Sequence, residues 1–372
     1  MRTGWGLVML LAGASSASAQ VDPLAPLSNV PPPPVVIHRA PIYTLPTAIA
    51  PVRTGFAVYK DRLADRARRE GVREATIQNV VPFLTLNSRV VTLDRGQPGG
   101  INNPNAYPPF APYRREHVTA DLIRRGRIVY SNSYSRLSAI EATSGVEASI
   151  LVSIFGHETS YGTVTGGFDL LDALATLAYE GRRRDLFESE FIAAIKLLDR
   201  GTPRYRLKGS WAGATGYPQF MPSAVLRLAR DGDGDGVANI WGNQADGFAS
   251  IAQYMREAGW RPGVHWGVPV RVPSGFNRAA VVTHLVAPRC PRVYARHSQW
   301  KSLAEWRTLG VAPLASTRGL RETEPMSLLE PDGPGATAYL LSNNYRVILD
   351  YNCSNSYALA VGLLADAIAG RG

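Results

Sequence analysis

Glu158 is the side chain in this sequence that is best placed for acid–base chemistry. It lies in the segment Ile150–Gly162 and continues an apolar stripe of a predicted helix toward the core. Burial and the negative end of the helix dipole both raise the pKa of a carboxyl group, which suits a general acid. Gly162 is predicted to end this helix. Taken alone, the pattern also fits a helix-end glutamate that is paired with an arginine. The stripe consists of Ile150, Leu151, Ile154 and Phe155.

A second cluster, Lys208–Ser223, combines glycines with side chains that suit a sugar ligand. Ser210, Tyr217 and Gln219 carry groups that hydrogen-bond hydroxyl and acetamido groups, while glycine lets the backbone approach a ligand closely. A loop that leads into a helix at Pro222 is the alternative. The segment Tyr351–Tyr357 is a third candidate, and alone it fits a strand-to-helix cap. The apolar walls predicted for the second cluster are Trp211, Phe220 and Met221.

An aspartate-rich segment, Asp231–Trp241, begins like an EF-hand calcium loop. Aspartates occupy its first, third and fifth positions, and Gly236 occupies the sixth. The glutamate usual at the twelfth position is replaced by Gly242, so Asp246 is the candidate for the closing carboxylate. A flexible acidic turn is the alternative interpretation. A bound ion here is predicted to be structural, because the loop joins two helices and lies far from Glu158 in sequence.

The elements around these segments predict a mainly α protein with a smaller β-rich insertion. Helical spacing recurs from Gly55 to about Gly259, and a last helix is predicted over Ala358–Ala369. Turns are predicted at Asp332–Gly333 and at Asn343–Asn344. The segments predicted as helices are 56–67, 146–155, 170–178, 187–198 and 248–255, and those predicted as strands are 268–272, 280–282 and 345–349.

Composition allows a large core but leaves the partner open. The chain has 372 residues, of which 45% are hydrophobic and 19% charged, which predicts two or three domains and excludes a disordered or fibrous protein. The formal charge is +10, and a basic surface can attract an anionic polymer. The sequence has no basic motif interleaved with aromatic residues, so nucleic acid is not expected as a partner.

The first residues predict export. Arg2, the apolar run Leu7–Leu11 and the sequence Ala17-Ser-Ala19 form a signal peptide over 1–19, with cleavage after Ala19 and a periplasmic location. Removal of Arg2 leaves 39 basic and 30 acidic residues, a charge of +9. No cysteine lies near the cleavage site for lipid attachment, and no later stretch reads as transmembrane. Residues 20–51 are predicted to be a proline-rich tether.

The two cysteines, Cys290 and Cys353, are expected to be in an oxidising compartment after export, where a disulfide can form. Two cysteines alone do not show whether they pair, so the sequence leaves the disulfide open.

The three candidate segments together resemble the membrane-bound lytic transglycosylase B family, glycoside hydrolase family 103. The resemblance covers roughly residues 55–368 and rests on motifs that occur in the same order. It implies a lysozyme-like helical core and cleavage of the bond between N-acetylmuramic acid (MurNAc) and N-acetylglucosamine (GlcNAc) without water, which leaves a 1,6-anhydromuramic end. The motifs are Glu158-Thr-Ser-Tyr-Gly162, Leu171-Asp-Ala-Leu-Ala-Thr-Leu177, Gly213–Ser223, Asp246–Trp260 and Tyr351–Val361.

Site residues follow from this resemblance. Glu158 matches the single catalytic glutamate, and no cofactor is expected for catalysis. The family also has a related calcium loop, which implies structural calcium. Saccharide contacts are implied for Ser210, Gln219, Tyr351, Asn352 and Tyr357, and less directly for Tyr113 and Tyr254. Calcium ligands are implied at Asp231, Asp233, Asp235, the Val237 carbonyl and Asp246.

Three positions depart from the family pattern. Pro218 replaces a common glycine and stiffens the loop beside Gln219. His157 stands where an apolar residue is usual, and it either shifts the pH profile or is simply a surface or packed histidine. Cys353 lies in the third segment, where a disulfide to Cys290 would tie the insertion to the wall of the active site.

The sequence therefore predicts an N-terminal helical region over 52–140, a lysozyme-like core over 141–262, a β-rich insertion over 263–350 and a returning helix over 351–372. The expected partners are peptidoglycan strands and cell-wall synthesis complexes, and the expected state is a monomer. A hydrolytic muramidase is the nearest alternative, but it needs a second carboxylate. Asp169 and Asp172 are the close candidates and are better explained as the start of a helix. A non-catalytic peptidoglycan-binding scaffold is the other alternative, and a calcium-sensing regulator fits least.

Overall fold

The computed structural model describes residues 55–96, 108–284, 286–287 and 289–371. The predicted signal peptide and proline-rich tether lie outside these ranges. The helices are α1 Phe56–Arg69, α2 Glu74–Val80, α3 Ser88–Arg95, α4 Phe110–His117, α5 Ala120–Asn132, α6 Tyr134–Ser144, α7 Ala148–Thr159, α8 Leu170–Glu180, α9 Arg184–Asp199, α10 Pro222–Leu228, α11 Gln244–Glu257, α12 Pro291–Tyr294, α13 Leu303–Thr308, α14 Asn343–Tyr351 and α15 Asn355–Ile368. The strands are β1 Phe168–Asp169, β2 Lys208–Gly209, β3 Gly267–Arg271, β4 Lys301–Ser302, β5 Ala312–Pro313, β6 Pro325–Leu329 and β7 Ala338–Leu341.

Helix α7 is the centre of the helical body. Ten of its 12 residues are buried, so the helix is enclosed on all sides rather than along one stripe. Helix α15 packs along it, and the Ser153 hydroxyl on α7 donates a hydrogen bond of 2.7 Å to the Val361 carbonyl on α15. This buried bond fixes the position of the two helices relative to each other along their length.

The prediction that Asp169 and Asp172 begin a helix is confirmed. Asp169 is the N-cap of α8, where its side chain accepts hydrogen bonds from the amides of Leu171 and Asp172. Arg204 also binds the Asp169 carboxylate, at 3.0 Å. The Asp172 carboxylate accepts two hydrogen bonds from Thr85, one from its amide and one from its hydroxyl. Both carboxylates are therefore used in holding the fold together.

The β-rich part forms one antiparallel sheet with a core of its own. Its strand order is β4-β6-β7-β3-β5, and β7 is the central strand. The predicted strand over 268–272 is confirmed as β3, in which Val268 and Val270 point into the small core with Trp306 and Leu340. The predicted turn at Asp332–Gly333 is also present, since Gly333 has φ 86°.

Two of the predicted strands are wrong. Residues 345–349 belong to helix α14, which begins after Ser342 because the Ser342 side chain accepts a hydrogen bond from the amide of Asn344. The predicted turn at Asn343–Asn344 is thus the first turn of this helix, and the boundary placed after residue 350 falls inside it. Residues 278–281 form a 3₁₀ helix, and Val282 makes only an isolated bridge with Ser298. An apolar run of this length suits either element, and burial against the core decided between them.

The two cysteines, whose pairing the sequence left open, form a disulfide between Cys290 and Cys353. Cys290 is the N-cap of α12 in the β-rich part, and Cys353 lies between α14 and α15. The bond therefore joins the insertion to the segment that leads into the central helix pair.

No single helix in the part of the chain that the structure covers is long and apolar enough to cross a membrane. Helices α6 and α7 meet the length and hydropathy criteria only as a pair, and they are bent by 112° relative to each other.

Replacement of both cysteines by alanine is expected to lower the free energy of unfolding by about 2–4 kcal/mol, because the disulfide closes a long loop in the unfolded chain. Denaturant unfolding of the oxidised native protein and of the double variant measures the difference. A reducing agent should destabilise the native protein and leave the double variant unchanged. Equal unfolding midpoints for the two oxidised proteins would contradict the expectation.

Candidate active site

Glu158 lies in the last turn of α7 and is held by a tyrosine from α15. The Tyr357 hydroxyl donates a hydrogen bond of 2.7 Å to Oε1 of Glu158. Tyr357 is positioned by the start of its helix, where the Ser354 hydroxyl accepts a hydrogen bond from the Tyr357 amide. The register of the two helices therefore sets the geometry of the carboxyl group.

Burial gives the Glu158 carboxyl group the properties of an acid near neutral pH. Its pKa is raised to about 7 by desolvation, and the hydrogen bond from Tyr357 only partly opposes this rise. The side chain nevertheless keeps a partly exposed edge. The pKa values of Tyr113 and Tyr351 are raised by burial and then by the charge of Glu158, so both phenols stay neutral.

The chain turns sharply after Glu158, and it does so earlier than the sequence predicted. Helix α7 ends at Thr159, and both Ser160 and Tyr161 adopt left-handed backbone conformations, with φ of 51° and 59°. Gly162, predicted as the stop, follows with φ 85°. Two non-glycine residues in this region store strain directly after the candidate catalytic group. The guanidinium of Arg125 binds the Ser160 carbonyl and supports the turn.

Tyr254 and Tyr351 form an aromatic wall, with ring centroids 4.7 Å apart. The Tyr351 hydroxyl donates to the Pro218 carbonyl at 2.5 Å, and the Tyr254 hydroxyl donates to the Asp350 carbonyl at 2.6 Å. Both hydroxyls are thus engaged by the protein. Tyr351 is buried, at 2% exposure, and Tyr254 is half-buried. Phe220, predicted as an apolar wall, is buried behind these rings.

The loop that carries Gln219 is held in a strained conformation. Gln219 has φ 52°. The nitrogen of its side-chain amide, Nε2, donates to the backbone carbonyls of Gly216 and Thr165. On the facing loop, a Cβ atom on Gly166 would lie 2.2 Å from the Gly209 carbonyl, so only glycine allows this approach. Ser210 is tied into the same loop, because its hydroxyl accepts a hydrogen bond from the Ala214 amide.

The other predicted contacts lie near the site but serve the core as well. The ring of Tyr217 packs 5.0 Å from that of Phe155, and Trp211 is 6% exposed. Asn352 is buried, at 3% exposure. The structure therefore brings Tyr113, Tyr351 and Tyr357 next to Glu158 and links Tyr254 to this group through Tyr351.

Sequence reasoning missed His117. Its ring stacks on that of Tyr113 with centroids 3.7 Å apart, and it lies 6.4 Å from the ring of His157. The pKa of His157 is lowered to about 4 by burial, so this histidine is packed and neutral. Its Nε2 is buried without a hydrogen-bond partner among the residues described. The spacing of four residues between Tyr113 and His117 on one helix is the signal that would have predicted the stack.

The aspartate-rich segment brings three carboxylates together. Oxygens of Asp231, Asp233 and Asp246 lie within 4.8 Å of one another. Asp246 is fully buried and accepts hydrogen bonds from the amides of Gly232 and Asn239. Asp235 lies outside this group, and its carboxylate accepts a hydrogen bond from the Val237 amide at 2.7 Å.

The chemistry of this donor set fits a calcium ion. Hard oxygen ligands from carboxylates and amides are those that calcium prefers. Asn239 lies at the ninth position of the loop, and its Oδ1 is buried with no hydrogen-bond partner in the described part of the chain. Burial and the charges of Asp231 and Asp233 raise the pKa of Asp246, an unfavourable arrangement that a cation would relieve. Sequence reasoning did not name Asn239, although its position in the loop marks it.

Comparison with known proteins gives a family and several relatives. The sequence profile of the family described as "Transglycosylase SLT domain" matches residues 55–366. The chain is 33% identical to membrane-bound lytic murein transglycosylase B of Escherichia coli K12. The match extends over 260 residues, which are 69% of this chain. It spans about two thirds (66%) of the length of that curated relative.

Solved structures are similar to this chain over most of its length. SltB3 from Pseudomonas aeruginosa, in complex with NAG-anhNAM-pentapeptide, superposes with a TM-score of 0.74 at 33% identity and covers 86% of this chain and 80% of its own. Escherichia coli Slt35, in complex with calcium, has a TM-score of 0.67 at 28% identity, with 84% of this chain and 94% of its own covered.

The raised pKa of Glu158 predicts that the free energy of unfolding depends on pH. A raised folded-state pKa contributes stability below the unfolded pKa, and this contribution is lost as the pH rises through the folded pKa. For Glu158 the window runs from 4.5 to about 7. Relative to the native protein, Glu158→Gln should therefore gain about 2 kcal/mol across this window, a value discounted because the side chain is partly exposed. Urea unfolding at several pH values measures it, and a difference that does not change with pH would contradict the raised pKa.

Proposed function

The chain belongs to the transglycosylase SLT domain family, and from this premise we propose that it is a lytic transglycosylase that cleaves peptidoglycan strands. The observation that carries the proposal is the Glu158 carboxyl group, which has a pKa of about 7 and accepts a hydrogen bond from Tyr357. The proposed bond is the β-1,4 link between MurNAc and GlcNAc.

In the first step, protonated Glu158 donates its proton to the glycosidic oxygen as the bond from that oxygen to the muramic C1 breaks. A pKa of about 7 keeps much of the acid form at neutral pH, where an ordinary glutamate would be ionised. The acetamido group of the muramic sugar assists at C1 from within the substrate. Neutral Tyr113 and Tyr351 add no charge to the site.

In the second step, ionised Glu158 accepts the proton of the muramic 6-hydroxyl as O6 bonds to C1. The proton balance is closed, because the group that gave a proton in the first step regains one in the second. Tyr357 stabilises the ionised intermediate state of the carboxylate through its hydrogen bond. An acceptor within the substrate has a high effective concentration, which allows it to compete with water.

The arrangement of other carboxylates favours this reaction over hydrolysis. Ordinary glycosidases place a second carboxylate across the bond. Asp169 caps α8 and is bound by Arg204, and Asp172 is bound to Thr85. Neither is free to activate a water molecule. We propose that the substrate is contacted by Ser210, Tyr217, Gln219, Tyr351, Asn352, Tyr357, Tyr113 and Tyr254.

We also propose that the aspartate-rich loop holds structural calcium. Asp231, Asp233 and Asp246 would supply carboxylates and Asn239 its buried amide oxygen, which has no other partner in the described ranges. When bound, the ion supplies charge neutralisation at the start of α11, where Asp246 lies. The sequence-predicted ligands Asp235 and the Val237 carbonyl remain proposals.

The location and division of the protein are proposed from the sequence. Export through the segment 1–19 would deliver the enzyme to the periplasm, where peptidoglycan lies, with 20–51 as a tether. The proposed body comprises a helical region over 52–140, a core over 141–262, an insertion over 263–350 and a returning segment over 351–372. Glycan strands are the proposed partner.

Glu158→Gln is expected to abolish release of soluble fragments from purified peptidoglycan, because the neutral amide cannot exchange a proton. Mass spectrometry of the products of the native protein should show anhydromuramic ends. The matched variant Asp172→Asn should retain them, since Asp172 serves the fold.

The products separate the alternatives. Reducing ends in place of anhydro ends would establish hydrolysis and a second carboxylate. Binding of glycan strands without release by the native protein would establish a non-catalytic scaffold. Anhydro products that persist in Glu158→Gln would assign the chemistry to another residue.

Removal of calcium by a chelator is expected to lower Tm by about 5 °C, as loss of an ion that contributes roughly 2–3 kcal/mol would do in a chain of this size. Activity at 25 °C should change little, because the carboxylates of the loop contact the loop's own backbone amides and not Glu158. Scanning calorimetry with and without chelator measures the shift. The control variant Asp233→Asn should respond less to the chelator, and an equal response in both proteins would argue against this site.

A further inference from the structure

A cavity of about 180 Å³ lies in the β-rich part, and Glu158 does not line it. Its wall is mainly apolar and aromatic, with Val286, Ala287, Tyr294 and Trp300 contributing. One charged side chain, Arg346 of α14, lines it. A volume of this order holds a group the size of one or two small residues.

The guanidinium of Arg346 lies close to two aromatic rings. Its central carbon lies 4.5 Å from the centroid of Tyr294 and 5.7 Å from that of Trp300. The Tyr294 hydroxyl donates a hydrogen bond of 3.4 Å to the backbone carbonyl of Arg346. Cation–π contacts of this kind restrict the side chain without using all five N–H donors of the guanidinium. A pre-ordered guanidinium suits a planar, bidentate acceptor such as a carboxylate.

The other polar groups of the cavity already have partners. His297 is hydrogen-bonded to Ser327 and to Asn355, and the Ser298 hydroxyl donates to the Gln299 carbonyl. Burial first, and then the charges of Arg346 and Arg296, lower the pKa of His297 to about 4, so the ring is neutral. Arg346 is thus the lining group with donors left for a ligand.

The charges nearby make the cavity electropositive. Arg289 and Arg296 lie on the segment that carries Tyr294, and Asp350 follows Arg346 by one helical turn. Asp350 feels the charge of Arg346, but no ion pair joins the two within the described ranges. An anionic ligand would therefore meet more positive than negative charge.

The cavity is connected to the active-site wall in three ways. Arg346 and Tyr351 lie on the same helix α14. The Cys290–Cys353 disulfide joins the start of α12, which carries Tyr294, to the segment after Tyr351. His297 is hydrogen-bonded to Asn355, the first residue of α15, on which Tyr357 holds Glu158.

We propose that this cavity binds the C-terminal carboxylate of a D-alanine-ended peptide, with Arg346 gripping the carboxylate and the apolar wall receiving the methyl groups. The identity of the peptide rests on the proposed function, because peptidoglycan strands carry such peptides on their muramic units. The ligand is either the peptide of the strand being cut or a peptide already released from it.

The distance permits the first of these sources. Arg346 and Tyr351 are five residues apart on α14. Along the helix axis, at 1.5 Å per residue, they are about 7.5 Å apart. They also lie on different sides of a helix that is about 11 Å across, so their total separation is about 13 Å. An extended peptide of five residues reaches roughly 17 Å. A peptide that starts beside Tyr351 is therefore long enough to reach Arg346.

The test is calorimetric binding of the tripeptide Nα-acetyl-L-lysyl-D-alanyl-D-alanine to the full-length Glu158→Gln protein, which cannot consume a substrate. The same peptide with a C-terminal amide is the matched ligand. We expect the amide to bind at least 10-fold more weakly, since it lacks the charge that Arg346 recognises. Arg346→Gln added to this protein should cause a similar loss, and Arg346→Lys a smaller one. Arg318→Gln, which removes an exposed arginine that does not line the cavity, should leave binding unchanged.

Equal binding of the acid and the amide, or no binding of either, overturns the proposal without recourse to any variant. Release of fragments from peptidoglycan, measured in parallel with the native protein, keeps the proposed function separate. Release without tripeptide binding removes the cavity proposal alone, and binding without release removes the enzyme proposal alone.

Kinetics then identify the source of the peptide. If the peptide of the strand is the ligand, Arg346→Gln raises KM for peptide-bearing strands and leaves KM for peptide-stripped glycan unchanged. If Arg346→Gln leaves KM unchanged on both substrates, although the protein with Arg346 intact binds the tripeptide, the cavity recognises released peptide.

Discussion

The hydrogen bond between Tyr357 and Glu158 is the interaction on which the site depends. It joins two residues that are 199 positions apart, so it exists only if α7 and α15 pack in one register. The buried Ser153–Val361 bond and the enclosed surface of α7 impose that register. The rest of the helical body, including the caps that start α8 and α15, serves to hold these two helices against each other.

Placing a carboxyl group in this position is unfavourable for folding, and that is why it is useful. Desolvation raises the pKa of Glu158, and the same burial keeps the surrounding tyrosines neutral, so the side chains around the carboxyl group add no competing charge. Strain has accumulated at the same place, in the left-handed residues Ser160 and Tyr161 and in Gln219. A well-packed core tolerates such local cost because many other contacts hold the backbone there.

The sequence predicted what local patterns determine. Helices with a clear 3.6-residue period, the helix start at Asp169 and the position of Glu158 in the last turn of α7 all follow from spacing within a dozen residues. Residues 345–349 were mispredicted because an apolar run suits a strand and a buried helix alike, and only the cap at Ser342 and packing against the core separate them. The disulfide depends on how the chain returns on itself, which composition and spacing do not reveal. The stack of His117 on Tyr113 follows from a four-residue helical spacing that the prediction did not use.

Helix α14 connects the β-rich insertion to the active site of the helical body. Tyr351 at its end is part of the aromatic wall and donates a hydrogen bond to the Pro218 carbonyl, while Arg346 lines the cavity in the insertion. Because a helix is rigid over nine residues, a displacement on one side of α14 cannot leave the other side unchanged. The disulfide and the His297–Asn355 bond restrain the same junction from both flanks. The insertion is therefore fixed to the wall of the catalytic cleft by covalent and buried polar contacts, so that a group held in its cavity and a glycan held at Glu158 share one rigid support.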